Sequence, residues 1–389
     1  KSSLIKIITG PRRAGKSVLC YELLKDKNFA YVNFDDERFS TLKTKDLNLV
    51  LQAIYEIYQK PDFIFFDEIQ NVNNWELFVN RLKRKGFNLI VTGSNAKMLS
   101  KELATHLTGR YFSLELYPFS FREYLYFNNF DYQKKGFSTR DTASIRRFWE
   151  NYLSFGGFPE VIQGESYRKY LISLYSTVIT KDVILRHGIK YINTLKEFAN
   201  YLISNFARQV TFNKLKNIFS LKSVHTAKNY FSFIEESYLI FQIERFSYKS
   251  KERLTAPRKI YAIDTGLINA LSTKFSQEIG QIYENVVAIE LMRRKFFNPK
   301  EDIYYWQNSY NYEVDFVIKE ELKVKQLIQV CYDIKNYDTK KREINSLLKA
   351  SENLKCNNLL ILTDDVEEKE KVKGKMITSL PLWKWIIYH

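Results

Sequence analysis

Gly10-Pro11-Arg12-Arg13-Ala14-Gly15-Lys16-Ser17 has the spacing GxxxxGKS and lies between an apolar run, Leu4 to Ile8, and a helix-like segment, Val18 to Lys25. Glycines at the two fixed positions let a turn bring its backbone N–H groups up against an anion, and the helix that follows adds the positive end of its dipole. A lysine and a hydroxyl directly after the second glycine are what a triphosphate with Mg²⁺ requires. Lys16 would reach the terminal phosphates and Ser17 would offer an oxygen to the metal. The stretch Gly10, Pro11, Arg12, Arg13, Ala14, Gly15, Lys16, Ser17 and Val18 is therefore expected to cradle a nucleoside triphosphate, with Arg12 and Arg13 placed to touch phosphate themselves. A chance Gly-rich turn would lack the strand before it and the helix after it.

A second group of chemistry-bearing residues ends the run Phe63-Ile64-Phe65-Phe66-Asp67-Glu68. So uniform an apolar run suits a strand buried on both faces, and two adjacent acids suit its carboxyl end. Asp67 is expected to hold Mg²⁺ through water. Glu68 is expected to orient and deprotonate an attacking water, a task that Lys16 and the metal cannot perform. The plain alternative is a solvated acid pair closing a strand.

These groups need elements to position them. Apolar runs at Leu4 to Thr9, Phe29 to Phe34, Phe63 to Asp67, Asn88 to Thr92 and Tyr111 to Leu116 alternate with helical patterns. Such alternation predicts an α/β architecture with a doubly wound parallel sheet, whose ligands sit beyond the carboxyl ends of the strands. The Gly-rich loop, the acid pair and Gly93-Ser94-Asn95 would all converge there. Ser94 or Asn95 is a candidate sensor of the γ-phosphate, and Ser94 serves equally well as a strand-to-helix cap.

The stretches GPRRAGKS, FIFFDEIQNVNNWE, LIVTGSNAKMLS, LTGRYFSLELYPFSFREYL, FGGFPEV and KIYAIDTGLINA together resemble the AAA+-related P-loop ATPases of archaea and bacteria that carry a C-terminal domain of unknown function. The likeness spans nearly the whole chain. It implies ATP as the nucleotide with Mg²⁺ beside it, and a small helical lid after Pro118-Phe119-Ser120-Phe121. Arg110 stands at the family's Gly-Arg position, which implies an arginine finger or sensor; a local partner near a strand start is the alternative. Rings with a finger from the neighbour occur among AAA+ relatives, as do monomers, so homo-oligomer formation stays open.

A length of 389 residues exceeds what one core usually organises and predicts two or three domains. No apolar run approaches the ~20 residues that span a bilayer, so a cytoplasmic protein without a membrane partner is expected. Cys20, Cys331 and Cys356 are odd in number and lack CxxC spacing, against a disulfide framework or a structural zinc. No signal-like segment precedes the first run, into which the chain opens directly, so further N-terminal residues are expected in the natural protein. The formal net charge of +16 favours a polyanionic partner. Its distribution decides where: Lys190 to Ile260 holds 13 Lys and Arg against 5 Asp and Glu, a surplus of 8.

That basic region starts with a helical pattern, Leu195 to Phe206, and a short helix, Thr211 to Phe219. A third helix from near Ser223 carries an apolar stripe of Val224, Ala227, Phe231, Ile234 and Tyr238. A period-two run, Leu239 to Phe246, a basic loop, Lys249 to Arg253, and a return strand, Lys259 to Ile263, complete the pattern of a winged helix. Lys228 and Asn229 on the third helix, with Lys249, Lys251 and Arg253 in the wing, are the candidate DNA contacts. A winged helix that packs against the ATPase and touches no nucleic acid is the alternative.

Beyond Asp264 the order of a helix, Tyr283 to Leu291, three strands, a helix and a further strand resembles the PD-(D/E)xK nuclease-like fold. Asp315 matches the first acid of such sites, but Gln329-Val330-Cys331 stands where acid-x-Lys is required. The site is expected to be degenerate, with Glu284 and Asp315 as the remaining groups able to hold a metal. The expected architecture is a P-loop ATPase core over 1–116, a helical lid over 117–189, a winged-helix domain over 190–265 and the nuclease-like α/β domain over 266–389. Three activities are consistent with the residues: an ATPase coupled to DNA, a slow ATP-dependent switch that binds a protein partner, and a metal-dependent nuclease.

Overall fold

The five apolar runs form strands β1 (Ile5–Thr9), β2 (Phe29–Asn33), β3 (Phe63–Asp67), β4 (Asn88–Gly93) and β5 (Tyr111–Glu115). All pair in parallel, in the order β2-β3-β4-β1-β5. The computed structural model describes residues 4–96, 110–134, 136–164, 166–272 and 279–388; Lys97 to Ser100 and Leu107 to Gly109, which belong to two of the family-like stretches, lie outside the described residues. Side chains alternate across the sheet, so both faces need cover. Ile5, Ile7, Ile64, Phe66, Leu89 and Val91 pack under helices α2 (Leu47–Tyr58) and α3 (Trp75–Arg84). Ile8, Phe65 and Ile90 point the other way and meet Cys20 and Leu24 of helix α1 (Lys16–Leu24). This is the doubly wound arrangement, and it is why β3 is apolar almost throughout.

The chain divides into two compact units. The first comprises Lys1–Pro118 with two later pieces, Thr177–Gly188 and Phe233–Tyr238; the second holds the rest. In the second, β6 (Arg208–Val210), β7 (Ile240–Arg245), β8 (Arg258–Ala262), β9 (Glu301–Gln307), β10 (Glu313–Glu320), β11 (Lys323–Val330), β12 (Leu359–Thr363), β13 (Glu368–Val372) and β14 (Lys375–Pro381) form one mixed sheet. Its order is β13-β14-β12-β11-β10-β9-β7-β8-β6. The strands of the basic region therefore continue into those of the C-terminal region through a parallel β7–β9 pairing, Glu244 opposite Tyr304.

The three helices read from the basic region are present as Ile192–Ser204, Phe212–Ile218 and Val224–Glu236. Thr211 caps the second by accepting from Lys214 N at 3.2 Å. Ala227, Phe231, Ile234 and Tyr238 of the predicted stripe are buried. The expected basic loop between β7 and β8 is instead a short helix, Ser250–Thr255, stabilised by Ser247 Oγ donating to Glu252 at 2.9 Å and by the Lys249–Glu252 pair at 3.1 Å.

The helices after Pro118 fall outside the first unit. Phe121–Phe127 and Thr139–Phe155 belong to the second unit, not to the unit that carries the Gly-rich loop. Asp264 explains this: its carboxylate accepts from Gly157 N at 2.7 Å and from Leu267 N at 3.1 Å, tying the end of one helix to the start of another. A Cβ on Gly156 would lie 2.0 Å from that carboxylate, so FGG and IDTG are complementary surfaces. Trp149 Nε1 donates to Tyr283 at 3.0 Å and adds a second tie.

Candidate active site

The loop departs from β1 at Gly10, whose φ is +148° and whose added Cβ would stand 2.0 Å from the carbonyl oxygen of Leu116. Only glycine fits there. Arg13, with φ of 65°, and Gly15, with φ of 92°, then turn the chain into α1, which starts at Lys16 without a side-chain cap. The first turn of α1 thus meets the loop directly, as an anion site requires. Ala14 is buried beneath the loop, Arg13 is exposed, and the Val18 side chain points outward, 66% exposed.

Lys16 is buried, and its ammonium donates to the carbonyls of Gly10 at 3.0 Å and Pro11 at 2.9 Å while lying 3.5 Å from Glu68 Oε1. Ser17 Oγ donates to Asp67 Oδ2 at 2.7 Å. Asp67 also accepts from the Tyr31 hydroxyl at 3.1 Å and from Thr92 Oγ1. A hydroxyl and a carboxylate so close form a hard-oxygen donor pair suited to Mg²⁺.

Glu68 follows β3 in a left-handed conformation, φ 52°, which turns its side chain toward Lys16. Gln70 Nε2 and Ser94 Oγ donate to Glu68 Oε2 at 2.6 and 2.9 Å, and Glu68 N donates to Thr92 Oγ1 at 3.0 Å. Burial by itself raises this carboxyl. The Lys16 ammonium, Arg12 and the two hydrogen bonds outweigh it and hold the group below the ordinary carboxylate range. Glu68 is therefore an ionised acid at neutral pH. Asn95 is buried just beyond the strand. Tyr31, Gln70 and Thr92 went unread in the sequence; Tyr31 lies at the middle of β2, and only Thr92, near the end of β4, and Gln70, just beyond β3, carry a positional signal.

Arg12 is held between two acids. Its guanidinium binds Asp182 through Nε at 2.6 Å and Nη2 at 3.1 Å, and Asp35 through Nη1 at 3.1 Å. Asp182 lies in a π-helical segment, Val178–Leu185, and also faces Arg186 at 3.3 Å. A cavity of about 1080 Å³, lined among others by Arg12, Asp35, Gln70, Asp182 and His187, opens beside them. His187 stacks on Phe233 there, ring centroids 3.7 Å apart.

Arg110 is not in this site. It immediately precedes β5, its carbonyl accepting from Ile5 N at 3.0 Å at the start of β1. The loop leaves the other end of β1, so a strand of five residues, roughly 16 Å long, separates them. An arginine at that end cannot serve its own loop.

The candidate DNA contacts fall on two elements. Lys228 is exposed with its ammonium 5.7 Å from the Phe212 ring, and Asn229 bonds His225 at 3.3 Å. Lys249 and Lys251 are exposed at the start of the short helix, while Arg253 lies 3.8 Å from Glu244 and 3.5 Å from the Tyr304 hydroxyl. Asp315 and Glu284 do come together in the second unit, but around the ammonium of Lys259.

A family model described as an AAA domain matches residues 2–125, and models for two domains of unknown function, DUF8612 and DUF4143, match 146–278 and 279–385. With the loop, the acid pair and the parallel sheet, these matches define an AAA-related P-loop ATPase family. The chain is 40% identical over 400 residues to the uncharacterized protein MJ1544 of Methanocaldococcus jannaschii, covering 98% of this chain and 88% of that one, and it belongs to the same family. An uncharacterized protein of Haemophilus influenzae is 28% identical over 399 residues, covering 98% and 94%. Among solved structures, the Walker-type ATPase PABY2304 of Pyrococcus abyssi aligns with 70% of this chain and 91% of its own at 12% identity, TM-score 0.44. Cdc6p of Pyrobaculum aerophilum aligns with 73% and 88% at 14% identity, TM-score 0.27. Among the described residues, no helix is long and apolar enough to cross a membrane.

Proposed function

We propose that this chain hydrolyses ATP at the Gly10–Ser17 loop and that its nucleotide state governs contact of the basic 190–265 region with DNA. One observation carries the hydrolytic part: Glu68 is buried, ionised and fixed by Gln70 and Ser94 while standing 3.5 Å from the Lys16 ammonium. Lys16 would bind the terminal phosphates in place of the Gly10 and Pro11 carbonyls, and Glu68, released from that ion pair, would orient the attacking water. Ser17 and Asp67 would hold Mg²⁺, which would supply charge neutralisation on the phosphate oxygens. Arg110 then acts on a neighbouring copy or not at all.

DNA contact is supported by the surplus of 8 positive charges in Lys190 to Ile260 and by the exposure of Lys228, Lys249 and Lys251. The test is ATP turnover with and without DNA. Lys16→Ala is expected to abolish binding or turnover, and Glu68→Gln to keep binding but lower turnover by about 10²-fold or more. Unchanged turnover in both variants refutes the hydrolytic reading. DNA affinity is expected to fall steeply between low and moderate salt; no DNA binding at low salt transfers the proposal to a protein partner.

A further inference from the structure

The resemblance of the C-terminal region to metal-dependent nucleases leaves Asp315 and Glu284 as the groups able to hold a metal in a site expected to be degenerate. The side chains around them do not fit one. Glu313 and Asp315 on β10 and Glu284 on the helix Ile279–Phe297 converge on one point, and Lys259 of β8 is already there. Its ammonium lies 2.5 Å from Glu313 Oε1, 2.9 Å from Glu284 Oε1 and 2.9 Å from Asp315 Oδ1, with the side chain only 3% exposed. An ammonium has three N–H groups, and here it donates to Glu284 and Asp315 and pairs with the charge of Glu313. These are hydrogen-bond lengths. Mg²⁺ would draw oxygens to about 2.0–2.1 Å and demand six of them.

Other donors also engage these carboxylates. Tyr261 donates to the same Glu284 Oε1 at 2.7 Å, Gln209 Nε2 to Glu313 Oε2 at 2.7 Å, and Val330 N to Asp315 Oδ2 at 3.0 Å. Gln329, standing where an acid is required, accepts from Asp315 N at 3.4 Å and donates to Glu343 Oε2 at 2.7 Å. Among the described residues no three His, Cys, Asp or Glu side chains are grouped to hold a metal. Lys259 is anchored through its backbone as well. It sits on a strand paired on both sides, opposite Gln209 of β6 and Ile243 of β7, and Tyr261 two residues on points to the same face. Three carboxylates so close, Asp315 buried and Glu284 and Glu313 partly so, would repel one another without a cation between them.

We infer that Lys259 is a built-in cation standing where a divalent metal would be, so that the carboxylate cluster of the second unit is a closed structural site with no metal-dependent cleavage. The experiment uses nucleotide-free full-length protein carrying Asp67→Asn, so that the phosphate site contributes no cation, and follows melting temperature with and without millimolar Mn²⁺. With Lys259 present, Mn²⁺ is expected to leave the melting temperature unchanged. Adding Lys259→Ala is expected to lower it by roughly 10 °C, since one partner of a buried ion network is removed, and Mn²⁺ is expected to recover part of that loss. Mn²⁺ stabilisation of the Lys259 protein that disappears with Asp315→Asn would overturn the inference. So would a Lys259→Ala protein that melts normally, or one that Mn²⁺ does not rescue. If that variant is insoluble, it is purified with Mn²⁺ throughout: recovery of soluble protein supports the inference and continued insolubility refutes it.

Discussion

Gln70 shows how much a single amide contributes to the candidate active site. Its Nε2 lies 2.6 Å from Glu68 Oε2 and 3.3 Å from Ser94 Oγ, so it fixes both the direction and the ionisation of the acid. Gln70→Ala is expected to lower the rate of ATP turnover about tenfold or more while changing ATP affinity little, because the lost contact aims the water and not the phosphates. The sign of the accompanying pH effect follows from the electrostatics. Glu68 is held below its ordinary value in part by Gln70 and Ser94. Removing one donor lets the carboxyl rise, so the acid limb of the pH–rate profile is expected to move to higher pH. A purely structural role for Gln70 would lower the melting temperature without moving that limb. Cys20 is a different case: burial and the nearby Asp67 carboxylate push its thiol up to about 12, as suits a core residue on the inner face of α1.

At the scale of elements, Asp264 holds together two segments that lie over one hundred residues apart. Burial raises its carboxyl to about 6, against the lowering effects of the Gly157 and Leu267 N–H groups and of Arg293. A folded-state value above the unfolded one means that the native protein binds the proton more tightly. Its contribution therefore favours folding below about pH 4 and is lost as pH rises through about 6, a swing on the order of 3 kcal/mol. Asp264→Asn is expected to flatten the dependence of unfolding free energy on pH between 4 and 6, measured by denaturant titration. It is also expected to cost stability at pH 7, because an amide cannot accept from both backbone N–H groups as the carboxylate does. An unaltered pH slope would show that Asp264 does not titrate in this window.

For the whole molecule, the position of Arg110 separates a self-sufficient ATPase from an assembling one. It stands at the end of the sheet away from its own loop. If it works as a finger, it works on another copy, and turnover per chain then rises with protein concentration. Arg110→Ala is expected to remove that rise and to leave turnover in dilute solution unchanged. Turnover independent of concentration in both proteins would assign Arg110 to local structure. The first unit contains its own candidate relay, since Arg12 in the phosphate loop is gripped by Asp182 from the Val178–Leu185 segment. Nothing in the second unit is needed to form that contact.

The amino-acid sequence by itself determined the phosphate loop, the acid pair and the five parallel strands. Their physics is local: a glycine where no Cβ fits, an apolar run covered on two faces, a hydroxyl following a lysine. Ser94 beside Glu68 and the three helices of the basic region were legible for the same reason. What only the tertiary structure decided involves partners distant along the chain. Arg12 meets an acid 170 residues away, and Lys259 meets Asp315 at a separation of 56. The helices after Pro118 join the second unit because Asp264, far downstream, accepts the Gly157 N–H. Spacing cannot encode such encounters, since they arise when buried charges seek the nearest counter-charge that the completed fold brings within reach.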